Sequence, residues 1–226
     1  MFFHPMDILI FAAFGLALWA QAKVKSNFNK WSKVQASSGL TGMEVARRIL
    51  DHHGLHDVPV EPVRGTLSDH YDPTKKAVRL SEPVYAGHSI AAISVAAHEV
   101  GHAVQHKEAY GALTLRHKMF PVVSLSSGVA PFLLIGGFLL GSMNLIGLGI
   151  IFFSAAVAFQ LITLPVEFNA SNRAKDFMIA EGIIRNEEER GVNKVLGAAA
   201  LTYVAAALIS LLELLKFVLI FTQNRE

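Results

Sequence analysis

Ala96-Ala97-His98-Glu99-Val100-Gly101-His102-Ala103-Val104-Gln105-His106 carries the pattern H-E-x-x-H inside a small, apolar stretch. From Ser89 to Gln105 the residues favour helix, so the pattern is expected on a buried helix rather than a loop. On a helix His98 and His102 lie four apart and share one face, a turn above each other. Two imidazoles at that spacing can grip one Zn²⁺, and Glu99 then stands beside the water that the metal would activate. Gly101 is expected to leave room close to the metal. A structural zinc fills four positions and has no use for Glu99. A catalytic zinc keeps three protein ligands and one open position, lowers the pKa of water there to about 7 and polarises a carbonyl. Glu99 would take the water's proton and later deliver it to a leaving amine, with no covalent intermediate. The chemistry expected of the stretch is metal-assisted peptide hydrolysis.

Working outward, the chain has 226 residues, 52% hydrophobic and 17% charged, with a mean hydropathy of +0.41. That is too apolar for an ordinary soluble domain and long enough for one domain plus several membrane spans. No basic cluster is interleaved with aromatics, so nucleic acid is not an expected partner. There is no cysteine, which excludes disulfides, Cys-ligated metals and thiol catalysis. Any transition metal must sit on histidines and carboxylates.

Met1 to Ala22 holds one acid, Asp7, and no basic n-region, and Lys23, Lys25, Lys30 and Lys33 follow it. It reads as an uncleaved membrane helix whose C-terminal end is cytoplasmic. Thr41-x-x-Glu44 is a capping box opening a helix to about His53, closed by Gly54. His52 and His53 are adjacent, point apart, and read as a surface pair. Residues 67–71 and 77–80 flank Asp72-Pro73-Thr74-Lys75-Lys76, a hairpin signal. An edge strand there would offer backbone groups to an extended peptide; a purely structural sheet fits the sequence equally well. Met119 to Val166 contains no Asp, Glu, Lys, Arg or His. This is too long for one span and suits two, about 121–140 and 145–164, turning at Gly141-Ser142-Met143-Asn144. Val195 to Leu212 is a fourth uncharged stretch, extending past Glu213 and Lys216, which can pair three apart on one helix face, to Thr222.

The expected fold is therefore a mainly α integral membrane protein with about four transmembrane helices, a zincin-like H-E-x-x-H helix and a small β-hairpin or sheet. Its organisation is a first span at 1–22, a catalytic segment at 23–118, a transmembrane hairpin at 119–165, a polar segment at 166–194 and a last span at 195–222. With the N-terminus outside, all but Lys216 and Arg225 of the 20 Lys and Arg lie inside, as the positive-inside rule requires. Both polar segments then meet on the cytoplasmic side. A metal transporter would want ionisable groups inside the spans, and three of the four have almost none.

The chain resembles the YugP-type membrane zinc metallopeptidases of bacteria. The resembling residues are 40–46 (LTGMEVA), 67–73 (LSDHYDP), 78–81 (VRLS), 98–105 (HEVGHAVQ) and 165–174 (PVEFNASNRA). The resemblance implies a membrane-bound zinc peptidase of peptide or protein substrates, membrane proteins among them, in the bacterial inner membrane and its lipid bilayer. More distantly the chain is similar to HtpX-type and CAAX prenyl proteases, whose downstream motif resembles E-x-x-A-D-x-x-A. Here Ser171 stands where those enzymes have Asp, so any carboxylate support for a ligand is replaced by a hydroxyl.

Three residues compete for the third ligand. Glu108 lies six after His102, but Gln105 stands where enzymes with that spacing turn at glycine, and an unbroken helix carries Glu108 away. His106 is two turns, about 12 Å, from His98. Glu167 follows Pro165, where the span should bend or end, and is the first ionisable group after the uncharged run. Glu167 is the expected ligand, with Asn169, Ser171 and Asn172 near enough to hydrogen-bond the site. His70, beside Tyr71, is a candidate for meeting the developing oxyanion; a hydrogen-bonded hairpin histidine is the alternative. A non-proteolytic scaffold or chaperone retaining the zinc site would need the histidines but not Glu99.

Overall fold

The structure is a computed structural model and describes residues 4–223. Among the described residues it is mainly helical, with four helices long and apolar enough to cross a membrane, α1 (Met6–Trp31), α5 (Gly111–Leu140), α6 (Met143–Ala180) and α7 (Glu189–Gln223). Between them stand α2 (Gly42–His52), β1 (Val60–Val63), β2 (His70–Asp72), β3 (Ala77–Ser81), α3 (Glu82–Tyr85) and α4 (Ile90–Lys107). The chain divides into two compact units, one of Met1–Trp19, Ala112–Pro165 and Thr202–Glu226, the other of Ala20–Gly111 and Val166–Leu201.

Among its described residues the first unit is mostly apolar helix. Phe132 and Leu139 are 78% and 80% exposed, which water would penalise and lipid would not. Small residues let α5 and α6 approach closely: a Cβ on Gly137 would meet Ile146 Cγ1 at 2.7 Å, and one on Gly149 would meet Leu134 Cγ at 2.7 Å. Lys216 of α7 bonds Asp7 of α1 rather than Glu213. The expected pair three residues apart thus gives way to a tie between two helices, because a neighbouring helix presents a carboxylate where Lys216 ends.

The second unit holds a hydrophobic core in which Ile49, Leu50, Leu80, Ile90, Ile93 and Met178 are fully buried. α2 starts at the capping box, with Glu44 N donating to Thr41 Oγ1 and Thr41 N to Glu44 Oε2, and its chain exit turns at Gly54 with φ +64°. The three strands run in the order β1-β3-β2. β2 and β3 form the expected antiparallel hairpin, with Tyr71 opposite Val78; Asp72 Oδ1 accepts from Thr74 N and Lys75 N to shape its turn. β1 pairs parallel with β3, Val60 opposite Val78, and so adds a strand beyond the expected hairpin. Val78 and Leu80 enter the core, while Arg79 on the other face reaches Glu61 and Asp72.

Candidate metal centre

Ser89 caps α4 by accepting from Ala92 N, and the helix is buried along most of its length, so its histidines are presented on a rigid, dry element. His98 and His102 stack one turn apart, ring centroids 4.8 Å apart and nearly perpendicular. Glu167 comes from α6 and is 3% exposed. Its Oε2 lies 3.4 Å from His98 Nε2 and 3.6 Å from His102 Nε2. One ligand atom from each of the three lies within 4.8 Å of the others. Tetrahedral zinc with bonds of about 2.0–2.1 Å wants ligand atoms about 3.3–3.5 Å apart. The donor set fits that ion: two imidazole nitrogens and one carboxylate oxygen, all largely removed from water.

The residues around the donors hold them in place. His98 Nδ1 is 3.2 Å from Ser171 Oγ, so this hydroxyl reaches a histidine of the cluster. His102 Nδ1 is 3.0 Å from Gln105 Oε1. Gln105 Nε2 donates to Val166 O at 2.8 Å and to Asn169 Oδ1 at 2.9 Å. Gly101 plays a different part from the expected one. A Cβ there would meet Ala170 O at 2.7 Å and Ala170 Cα at 3.2 Å, so the missing side chain lets the backbones of α4 and α6 touch rather than making room for a metal.

Glu99 is 7% exposed. Burial raises its pKa, opposed by the charges of His98 and His102, and the acids Glu167 and Asp69 add to the rise. Asp69 accepts from Ser81 N at 2.7 Å and from Ser81 Oγ; burial raises its pKa as well. For His102 burial works against the charged form, but Glu167 and Glu99 outweigh it and the metal-free imidazole is raised.

The other sequence candidates fall elsewhere. Glu108 lies beyond the end of α4 and pairs with Arg173 at 2.7 Å. His106 Nδ1 meets the Tyr71 hydroxyl at 2.9 Å, and burial with the Asp72 charge pushes that phenol up to about 12. His70 does not join the cluster. It stands opposite Arg79 on the sheet face away from Tyr71, because successive side chains of a strand alternate, and its exposed ring turns Nδ1 to Ser68 O at 2.8 Å. Pro165 does not end its span: α6 continues through it to Ala180, and the register of one long helix carries Glu167 to the histidines. Gln105 is the residue that sequence reasoning missed. The sequence offered no signal for it beyond an amide three residues after His102, because its partners Val166 and Asn169 lie on another helix.

The chain belongs to the family described as "Putative neutral zinc metallopeptidase", which it matches over residues 6–222, and the three side chains brought together here could hold the metal that family name implies. It is similar to the "Putative membrane protease YugP" of Bacillus subtilis (strain 168), with 74% identity over 218 residues, covering 96% of this chain and 97% of the relative. No solved structure matches it.

Proposed function

We propose that this chain is a membrane-embedded zinc endopeptidase of gluzincin type, with His98, His102 and Glu167 as ligands and Glu99 as general base. The observation that carries the reading is the convergence of one Glu167 oxygen on the Nε2 atoms of both histidines. Zinc, when bound, acidifies a water and polarises a scissile carbonyl. Glu99 accepts the proton of the attacking water and passes it to the amine that leaves when the C–N bond breaks. Its burial suits both halves of that task, since a raised carboxyl pKa makes the base stronger and its conjugate acid easier to form at neutral pH. Ser171 and Gln105 hold the ring planes of the two histidines. β2 is an edge of the sheet and meets α4 through Tyr71 and His106, so it offers backbone N–H and C=O groups to an extended peptide. His70, facing the other way, has no part in this scheme.

The distribution of Lys and Arg supports a cytoplasmic site at the inner membrane, with membrane or membrane-associated proteins as substrates. Glu99→Gln tests the chemistry: purified protein keeps about one zinc per chain, and hydrolysis of a casein-like or membrane-protein substrate falls by ~10²–10⁴-fold. Undiminished cleavage by this variant defeats the mechanism. Comparing membrane proteomes with and without the substitution identifies the substrates.

A further inference from the structure

We propose that Gln105 is a positioning residue that sets the tautomer of His102 and the register of the Glu167-bearing turn of α6 with a single amide. The inference rests on the ligand reading above and extends it to a residue that touches neither metal nor substrate.

The polarity of the network follows from two groups that can play only one role. Val166 O is a backbone carbonyl and can only accept, so the amide nitrogen of Gln105 must face it at 2.8 Å. Arg173 Nε can only donate, and it donates to Asn169 Oδ1 at 2.8 Å. That turns the oxygen of Asn169 toward Gln105, whose nitrogen donates to it at 2.9 Å. Both hydrogens of the Gln105 amide are then committed to α6, and its Oε1 is left for His102. An amide oxygen cannot donate, so His102 Nδ1 must carry the proton. The lone pair of His102 is thereby confined to Nε2, the atom that faces Glu167. Free imidazole is under no such constraint.

The same amide measures the position of α6. Its two acceptors, Val166 and Asn169, lie on one turn of that helix and bracket Glu167. Sliding or rotating α6 by one residue would break both bonds. Gln105 is 0% exposed, so no water can replace them, and both of its amide hydrogens are already used. Ser171, the partner of His98, is a rotatable hydroxyl on α6 and sets neither polarity nor register in this way.

The test uses the full-length protein purified in detergent, with zinc affinity read by chelator competition. Gln105→Leu is expected to weaken zinc binding by ~10–100-fold, the range for residues that orient ligands. In zinc-loaded parent protein labelled with ¹⁵N-histidine, the Nδ1–H proton of His102 is expected to be protected from exchange, and Gln105→Leu to lose that protection. Leu50→Ala, a cavity in the same core, is expected to lower Tm with zinc affinity unchanged, which separates positioning from general destabilisation. Retention of parent zinc affinity by Gln105→Leu, or equal loss of affinity in Leu50→Ala, overturns the proposal. Should Gln105→Leu fail to fold, the parent spectrum decides alone: an unprotected or absent His102 Nδ1–H overturns it, and a protected one supports it. His102→Ala separates the two readings. Loss of zinc in that variant together with unchanged Gln105→Leu sinks this inference and leaves the metal centre standing; zinc retained in His102→Ala sinks both.

Discussion

Gly101→Ala adds one methyl group at the closest approach of α4 and α6. The new carbon would sit 2.7 Å from Ala170 O, 3.2 Å from Ala170 Cα and 3.3 Å from Ala170 C, where ordinary contact begins at 3.4 Å. All three neighbours are backbone, so no side chain can swing aside, and the helices must part by several tenths of an ångström. Overpacking of this kind costs about 1–3 kcal/mol. Replacing a helical glycine by alanine returns about 1 kcal/mol, so the net loss of stability is small, ~0–2 kcal/mol. The loss at the metal is larger in proportion. Ala170 is one turn from Glu167, and a site held to within about 0.5 Å for function cannot absorb that shift in one of its three donors. We expect Gly101→Ala to fold, with a modest fall in Tm, to bind zinc at least tenfold more weakly (about 1.4 kcal/mol), and to lose peptidase activity. Gly197→Ala, on α7 with nothing within 4 Å of the added carbon, is the control and leaves zinc binding unchanged. Parent-like zinc affinity in Gly101→Ala, measured against a chromophoric chelator, would refute the close-contact argument.

Glu167→Ala is expected to abolish activity and strip zinc at chelator concentrations the parent withstands, while Glu108→Ala, which loses only a half-exposed pair with Arg173, retains metal; the reverse pattern in zinc content moves the ligand assignment to Glu108. In the metal-free protein the raised pKa of His102 means that its proton stabilises the fold fully below 6.5 and that this contribution is lost as pH rises through the raised value. Zinc requires the neutral ring, so the Tm gap between zinc-loaded and metal-free protein should widen with rising pH, and a gap that narrows refutes the assignment. A reporter joined after Lys33 should read as cytoplasmic and one inserted at Ser142 as external; the opposite pattern inverts the topology and puts the substrates outside.

Much of the architecture is written locally and could be read locally. Thr41 and Glu44 cap α2 because their partners are three residues away. The Asp72 turn forms because its carboxylate reaches its own backbone. The uncharged run from Met119 to Val166 reads as two spans because lipid accepts no unpaired charge. His98 and His102 meet because a helix repeats in 3.6 residues. Each of these depends on separations of a few residues, which the sequence by itself determined.

What tertiary structure alone decided depends on contacts between elements distant in the chain. Pro165 suggested an interruption, yet the helix runs through it, and the continued register aims Glu167 at the histidines. Gly101 suggested space and proved to be a contact, because its neighbour is Ala170, far along the chain. Lys216 had Glu213 nearby in sequence and took Asp7 from another helix. His70 and Tyr71 are adjacent in sequence, but strand pairing sends them to opposite faces, and only Tyr71 reaches α4. Gln105 read as a helix former because an amide's acceptors cannot be named until the helix that supplies them is in place. Helix periodicity and turn chemistry are short-range and repeat from protein to protein. The packing of α4 on α6, which brings these three side chains together, joins buried apolar contact to a close backbone approach at one glycine and the hydrogen bonds of one buried amide.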